Sequence, residues 1–352
     1  MTDSIKKSSF SSENIINTHI SESDLRTFFV GYDMGNFRYE KLCDYIVRAL
    51  VDFCFGFHKG IQDRYTMDEI REAAKSLYSI KTKDTEEGPE ISIFEDARKK
   101  YLKDEEYGDD EKFLKRGEFG ELIMHMLLRD FLKTVPLLSK IYMKDSDGAV
   151  VHGFDAVHVG PSLVQPDDES LYLGESKLYI DPKRGITELM KDIEGHFTTS
   201  YLDREFILIS KKQDAYMAVE KYENKNTHEE YKEFIKKKDG WFEKFDNIQS
   251  GKLKMKDLFK SVTVPLLCTY TSNVLSKHSD EETDDFKTEL DKEIGDLREN
   301  FHTKLKKLKE RIEKEGLSIS TDLNIVLILF PVPSKKELVK MLHQRLHNAQ
   351  QI

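Results

Sequence analysis

One stretch of the sequence, from Gly117 to Tyr179, constrains the fold more than any other. It begins with GEFGELIMHMLLRDF, in which apolar residues recur every three or four positions, the spacing of a helix with one buried face. KIYMKDSDGAVVHGFDAVHVG and LYLGESKLYI follow. These segments are rich in Val, Tyr, Leu and Phe and are bounded by Gly, Pro, Asp and Ser, as strands are. A helix followed by strands predicts an α/β domain.

Charged residues interrupt these apolar segments at positions that predict a metal site. Side chains alternate along a strand, so Glu175 and Lys177 point to one face and Ser176 to the other. Asp155 lies on the preceding predicted strand, and Glu121 lies on the helix. Mg²⁺ prefers oxygen ligands and keeps several waters, so that one or two carboxylates suffice to hold it. We therefore predict a metal site formed by Asp155, Glu175 and Glu121, with Lys177 beside it.

The chemistry of such a site is phosphodiester hydrolysis. A bound metal ion lowers the pKa of its water and offsets the charge of a phosphate. Lys177 would orient that water or stabilise the developing oxyanion, and Glu121 would complete a second metal position or hold the first through a water. In the alternative interpretation, Glu175 and Lys177 are an exposed ion pair and Asp155 is a turn residue. Burial separates the two, because charged side chains are rarely buried without a partner.

The succession of GEFGE on a helix, GFD on a strand and GESK on the next strand resembles the PD-(D/E)xK nuclease superfamily. Asp155 stands at the acidic position, Glu175 and Lys177 form the E-x-K half, and Phe154 replaces the proline of the motif. The resemblance implies a restriction-endonuclease-like core with a mixed central sheet flanked by helices.

The helical acid of that pattern is either Glu118 or Glu121. The related G-x-x-x-E spacing, counted from Gly117, favours Glu121.

From about Asn36 to the C-terminal helix, the chain resembles more closely the HamA family, effector nucleases of the Hachiman antiphage system. This resemblance implies a Mg²⁺-dependent deoxyribonuclease, with Mn²⁺ as a substitute metal, that acts on DNA. It also implies a heterodimer with a HamB-like superfamily 2 helicase, which restrains the nuclease until DNA damage or phage infection. The residues themselves leave open DNA or RNA, endo- or exonuclease action, and one or two metals. The alternative function is a catalytically silent nuclease fold that serves as a binding platform.

The predicted fold class is α/β, with a helical N-terminal part and long C-terminal helices. We expect a mainly helical region at 1–107 and a nuclease domain at 108–352, divided into a catalytic core at 111–212 and an extension at 213–352. Helices are expected at 39–55, 67–78, 91–102 and 279–316 and after Ser334, and strands at LRTFFVGYDM, SVTVPLLCTYTS and NIVLILF. Pro265 within SVTVPLLCTYTS indicates an edge strand or a bulge.

The segments after Tyr179 complete the predicted core. ITELMKDIEGHFTTSYL reads as a helix and REFILIS as a buried strand, parallel to LYLGESKLYI through a right-handed connection. Four basic residues near the site would either touch phosphate or line a solvated helix face; they are Lys183, Arg184, Lys191 and His196.

Two apolar patterns in the extension have alternative interpretations. Trp241, Phe242 and Phe245 lie among basic residues, and would either track a nucleic-acid backbone or anchor helices in the core. The apolar stripe of the long helix at 279–316 would form a coiled-coil seam with another chain or pack within its own domain.

Composition narrows the class of protein. The net charge of −10 argues against a protein that coats nucleic acid, and predicts that a partner delivers the chain to DNA. With 38% hydrophobic residues, no apolar run that spans a membrane and no signal-like N-terminus, we expect a cytoplasmic protein without membrane contact. The three cysteines lack metal-ligand spacing, and neither His152 nor His158 belongs to a zinc motif. No Walker lysine or GxSxG elbow indicates an ATPase or an acyl transferase.

Overall fold

The computed structural model describes residues 12–56, 66–78, 81–85, 88–92, 117–138, 153–165, 167–196, 229–254, 257–258, 260–315 and 323–351. Its strands are β1 (Ile16–Ser21), β2 (Leu25–Val30), β3 (Tyr32–Asp33), β4 (Asn36–Phe37), β5 (Lys81–Thr85), β6 (Gly88–Ser92), β7 (Val135–Leu138), β8 (Ala156–Pro161), β9 (Glu169–Tyr179), β10 (Val262–Thr271) and β11 (Asn324–Val332). Its α-helices are α1 (Tyr39–Arg48), α2 (Leu50–Phe55), α3 (Met67–Leu77), α4 (Glu118–Phe131), α5 (Pro182–His196), α6 (Glu229–Gln249), α7 (Asn273–Lys277), α8 (Asp284–Glu315) and α9 (Lys335–Gln351).

Seven of the described strands form one mixed sheet in the order β1-β2-β11-β10-β9-β8-β7. The middle strands β2, β11, β10 and β9 run parallel. β1 pairs antiparallel with β2 at one edge, and β7 and β8 continue antiparallel from β9 at the other. The expected α/β class, with a mixed central sheet flanked by helices, is therefore confirmed.

Helices cover both faces of this sheet, so each face has its own hydrophobic core. On one face, α5, α6 and α8 contribute residues such as Leu189, Trp241 and Phe286. On the other face, α1, α2, α3, α4 and α9 contribute residues such as Leu122 and Leu342. Central strands buried on both faces are expected to be mostly apolar, as the buried β10 and β11 are.

Local signals mark the starts of three of the described helices. Thr66 forms a capping box with Glu69 at the start of α3. The Ser334 hydroxyl accepts a hydrogen bond from the backbone N–H of Glu337, which begins α9. The α5 helix starts earlier than expected, at Pro182, where the Asp181 carboxylate accepts from the Lys183 N–H. This early start places α5 directly after the strand that carries the E-x-K residues.

The parallel neighbour of β9 is β10, which takes the place predicted for REFILIS. Leu266 pairs with Glu175, and Cys268 pairs with Lys177. REFILIS (204–210) and KIYMK (140–144) lie outside the described residues. The apolar pattern of a strand depends on neighbouring residues, whereas its partner in the sheet depends on contacts far apart in sequence. The pattern alone therefore did not indicate that β10, rather than REFILIS, pairs with β9.

The expectation of an edge or a bulge at Pro265 was wrong. β10 has partners on both sides, and its register with β11 is continuous from Thr263 to Thr271. Pairing with β9 is interrupted at Val264 and Pro265 without a change of register. The missing N–H of the proline is therefore accommodated on the β9 side of a central strand.

The N-terminal region contains more β-structure than predicted. The expected helix at 39–55 is divided into α1 and α2 at Ala49, and residues 91–92, expected to begin a helix, end β6. The rest of that expected helix lies outside the described residues. The division of the chain at 107 remains a prediction, and the sheet joins strands from both sides of it, because β1 and β2 belong to it.

Both apolar patterns of the extension pack inside the protein. Trp241, Phe242 and Phe245 are buried in the core under α6, which supports core anchoring rather than contact with nucleic acid. The stripe of α8 is buried in the same core, so it packs within its own chain. Cys43, Cys54 and Cys268 are buried and free. Within the described part of the chain, none of the helices has the length and apolar composition needed to cross a bilayer.

A buried ionic cluster lies beneath α4, formed by Asp52, His125, Arg129, Asp130 and His158. Arg129 forms an ion pair with Asp52, and Asp52 Oδ2 is 3.2 Å from His125 Nε2. Arg129 Nε is 2.6 Å from Asp130 Oδ1. His125 Nδ1 lies 3.2 Å from His158 Nε2. Since its members come from α2, α4 and β8, the cluster fixes three elements to one another.

Candidate active site

The E-x-K residues lie on one face of β9, as the period of a strand predicts. Leu171 and Leu173 pack in the core beneath α5, and Tyr172 and Leu178 pack in the core on the α4 side. Glu175 continues the first set and is only 2% exposed. An exposed ion pair of Glu175 and Lys177 is therefore the wrong interpretation.

The α5 helix supplies a partner for each of these two residues. Lys177 Nζ forms an ion pair with Asp192 Oδ2, and both side chains are 24% exposed. His196 Nδ1 lies 2.6 Å from Glu175 Oε1. The ring of His196 also contacts Phe154, with ring centroids 6.0 Å apart. Phe154, which replaces the proline of the superfamily motif, thus forms part of the wall of the site.

Asp155 is placed at a bend immediately before β8, rather than inside a strand. Its backbone N–H donates to the Gly174 carbonyl at 2.9 Å. Its Oδ2 accepts hydrogen bonds from the Ser176 backbone N–H at 2.8 Å and the Ser176 hydroxyl at 2.9 Å. Three bonds to β9 therefore hold the Asp155 carboxylate beside the strand that carries Glu175 and Lys177.

Glu121 reaches the site from the first turn of α4, on the opposite side of the sheet. Its negative charge contributes to the environment of Glu175. A Cβ atom at Gly120 would lie 3.2 Å from the Ser176 hydroxyl and 3.7 Å from Leu178 Cβ, so α4 approaches β9 closely at this glycine. The charge of Glu121 is among those that raise the pKa of Glu175, which supports Glu121 as the helical acid.

The charges around Glu175 are unbalanced. Burial raises the pKa of the Glu175 carboxyl well above its usual value, and the negative charges of Asp155, Asp192 and Glu121 raise it further, against the opposing effect of Lys177. For Lys177, burial lowers the pKa of the ammonium, but the carboxylates of Asp192, Asp155 and Glu175 outweigh burial and raise it. Lys177 is therefore held as a cation beside a surplus of carboxyl groups. Perturbed groups of this kind cluster at functional sites.

The donor set has the chemistry that Mg²⁺ requires. The converging side chains offer carboxylate oxygens, and a divalent cation would offset their surplus charge. Within the described residues, no three acidic, histidine or cysteine side chains are arranged as a ready cage for a metal ion. Mg²⁺ is commonly held by one or two carboxylates and completed by water, so the residues present fit it without such a cage.

The surplus charge predicts that Glu175 destabilises the metal-free protein. Its folded-state pKa is raised above that of the unfolded chain, so stability is lost as pH rises from the unfolded value towards the folded one. We expect Glu175→Gln to raise the free energy of unfolding by about 1 kcal/mol when metal is chelated. The gain should be larger near about pH 8 than near about pH 5, as measured by urea unfolding in EDTA.

The control for this prediction is Glu243→Gln, which changes an exposed carboxyl on α6. We expect it to alter stability by less than about 0.5 kcal/mol at either pH. A Glu175→Gln protein that is less stable than the wild type in EDTA would contradict this account of the site.

The structure brings together two residues that the sequence did not identify as part of the constellation. Asp192 was not selected at all, and His196 was considered only as a phosphate contact. The signal available was their spacing of four on the helix that follows β9, which places both on one helical face. Lys183, Arg184 and Lys191 are exposed; Lys191 pairs with Glu188 at 2.7 Å, and Arg184 stacks on Tyr179. These three residues therefore lie on the solvated face.

The two histidines of the predicted Asp155 strand take no part in the site. His158 is buried in the ionic cluster, where its Nδ1 hydrogen-bonds with the Thr134 hydroxyl at 2.8 Å. His152 lies outside the described residues.

Comparison with known proteins gives one match. The family model described as HamA matches residues 4–346, a range that includes every residue of the site and the N-terminal strands β1 and β2. No curated protein and no solved structure matches the chain.

Proposed function

The chain belongs to the HamA family, and from this premise we propose that it is a metal-dependent nuclease that hydrolyses DNA phosphodiester bonds. Family membership itself indicates a component of Hachiman antiphage defence. In this proposal the sheet and its helices form a PD-(D/E)xK core, and the chain is the effector of that system.

The buried Glu175, two positions from Lys177 and surrounded by further carboxyl groups, carries the proposal. A protein core excludes such a group unless something offsets the cost, because a buried carboxylate without adequate compensation loses several kcal/mol of hydration. Lys177 and His196 compensate Glu175 in part, yet its pKa stays raised. An energetically unfavourable carboxyl group in a protein core indicates a functional site. Oxygen ligands beside a cation fit a site that binds a metal ion and a phosphate substrate.

Each residue has a role that follows from its position. Asp155, Glu175 and Glu121 would hold Mg²⁺, or Mn²⁺ in its place, and the bound ion would activate water and offset phosphate charge. Ser176 fixes the Asp155 carboxylate for this through two hydrogen bonds to Oδ2. Lys177 is a cation on β9, beside the proposed metal ligands. There it would stabilise the negative charge that develops on the attacked phosphate.

The test is cleavage of plasmid DNA by the purified chain with MgCl₂, with MnCl₂ and with EDTA. We expect cleavage with either metal and none with EDTA. Metal should also stabilise the protein in the absence of DNA, by about 2.7 kcal/mol at a metal concentration of 100 times the dissociation constant. Cleavage that persists in EDTA would contradict metal dependence, and the absence of both cleavage and stabilisation would contradict the proposed site.

We also propose a helicase partner of the HamB type. With a net charge of −10, the chain has little general attraction for DNA, so a partner that translocates on DNA would supply delivery and restraint. Co-expression with a HamB-type helicase, followed by light scattering of the purified complex, should give a heterodimer. The cleavage assay is repeated with this complex if the chain alone is silent.

One observation favours the alternative, a catalytically silent binding platform. In the described residues the acids do not form a three-ligand cage, and Glu175 and Lys177 are both engaged by α5. On this alternative, the complex would bind DNA equally well in EDTA, and no metal would restore cleavage.

A further inference from the structure

Helix α5 contacts the site strand at two points whose spacing matches on both elements. On β9, Glu175 and Lys177 are two residues apart, a rise of about 6.6 Å along a strand. On α5, Asp192 and His196 are four residues apart, a rise of about 6 Å along a helix. Lys177 pairs with the earlier helical residue and Glu175 with the later one. The order is reversed because α5 runs antiparallel to β9, the strand that precedes it.

The position of α5 on the sheet is fixed by packing, so these contacts are held in place. Ile186, Leu189 and Ile193 are buried in the core against the strands. A Cβ atom at Gly185 would lie only 2.7 Å from Cys268 Sγ, so the first turn approaches β10 closely. Side chains presented by such a helix keep a defined geometry, which is the requirement for orienting a reactive group.

We propose that Asp192 and His196 are positioning residues of the nuclease site: Asp192 holds the Lys177 ammonium in place, and His196 orients the Glu175 carboxylate. This inference rests on the proposed function and assigns two further residues to it. A lysine side chain is long and flexible, and an ion pair to a fixed helix restricts it. His196 contacts Oε1 of Glu175, and an outer contact of this kind fixes the orientation of a carboxylate that binds a metal.

The two positions predict different kinetic effects. Loss of Asp192 leaves the metal ligands intact but frees Lys177, so Asp192→Asn should lower kcat by about 10–100-fold with an unchanged Mg²⁺ concentration for half-maximal rate. Loss of His196 frees the Glu175 carboxylate, so His196→Ala should change metal affinity by about 10–100-fold. Mn²⁺ binding to the full chain without DNA, followed by electron paramagnetic resonance, measures the second effect independently of cleavage.

Conservative and control variants separate positioning from folding. Asp192→Glu keeps a carboxylate and should recover part of the rate, and His196→Asn keeps a hydrogen-bond donor and should recover part of the metal affinity. Glu194→Gln changes a carboxyl on the same helix that pairs with Arg311 of α8, away from the site, and should behave as wild type. Circular dichroism and thermal unfolding identify any variant that fails to fold, in which case the conservative variant decides.

The outcomes distinguish this inference from the proposed function. If the wild type binds Mn²⁺ and cleaves DNA, while Asp192→Asn and His196→Ala match Glu194→Gln in every measurement, the positioning roles are overturned and the nuclease stands. If the wild type, alone and in complex with its helicase, neither binds Mn²⁺ nor cleaves, the proposed function fails and this inference fails with it.

Discussion

Replacing Lys177 with alanine should lower the rate of DNA cleavage by about 10²–10³-fold, the cost of removing one preorganised group that stabilises charge in a transition state. Lys177 is a cation beside three carboxyl groups and is only partly exposed. Its pKa is therefore raised by the protein environment, which keeps the ammonium protonated. The variant should still bind Mn²⁺, because Lys177 is not a metal ligand. Initial rates on plasmid DNA, at saturating metal, measure the effect.

Glu175→Ala should abolish cleavage and also weaken Mn²⁺ binding, because Glu175 is both buried and a proposed ligand. The matched controls are the two members of a partly exposed ion pair: Glu169, at the start of β9, lies 3.2 Å from Lys237 of α6. Lys237→Ala and Glu169→Gln should cleave at close to the wild-type rate. Wild-type cleavage by a folded Lys177→Ala protein would exclude this site as the catalytic centre.

The largest effect on stability is expected at Asp52, in the ionic cluster beneath α4. Burial alone would raise the pKa of Asp52, but Arg129 and His125 outweigh it and hold the pKa below its usual value. Removing one member of a buried pair leaves the other charge uncompensated and costs about 3–5 kcal/mol. Because the Arg129 side chain is 26% exposed and keeps its pair with Asp130, we expect the lower end of this range, about 3 kcal/mol, for Asp52→Asn.

Urea unfolding at neutral pH measures this loss, with Asp68→Asn as the control. Asp68 forms an exposed ion pair with Arg71 on α3, and such pairs contribute about 1 kcal/mol or less. A carboxyl whose folded-state pKa is lowered contributes its full stabilisation above the unfolded pKa and loses it as pH falls through the folded value. The difference between the wild type and Asp52→Asn should therefore shrink below about pH 4. Equal stability of the two proteins at neutral pH would show that the cluster contributes no net stabilisation.

Local periodicity predicted the parts of this fold that depend on neighbouring residues. The two-residue period of β9 correctly placed Glu175 and Lys177 on one face, and the buried stripe of α4 placed Glu121 near the start of that helix. The parallel neighbour of β9 was not predicted, because β10 begins 83 positions after β9 ends and no local pattern encodes that pairing. β1 and β2 were outside the expected core for the same reason.

The candidate site shows the same limit at the level of side chains. Asp192 looks like any other acid on an amphipathic helix until α5 is placed against β9, and then it is the partner of Lys177. Asp155 has a motif position that the sequence identified, but its bonds to Ser176 depend on β8 and β9 being antiparallel neighbours. Residue type and order could be predicted, whereas the partners of each charge required the sheet.

Because α4 approaches β9 closely at Gly120, a single methyl group added at this position would affect the site. A side chain at this position would contact the Ser176 hydroxyl, which donates a hydrogen bond to the Asp155 carboxylate. Gly120 also precedes Glu121, so this contact lies between the proposed helical acid and the hydroxyl that holds Asp155. An alanine here would require the Ser176 hydroxyl to shift by a few tenths of an ångström, so the absence of a side chain at Gly120 sets how closely α4 packs on β9.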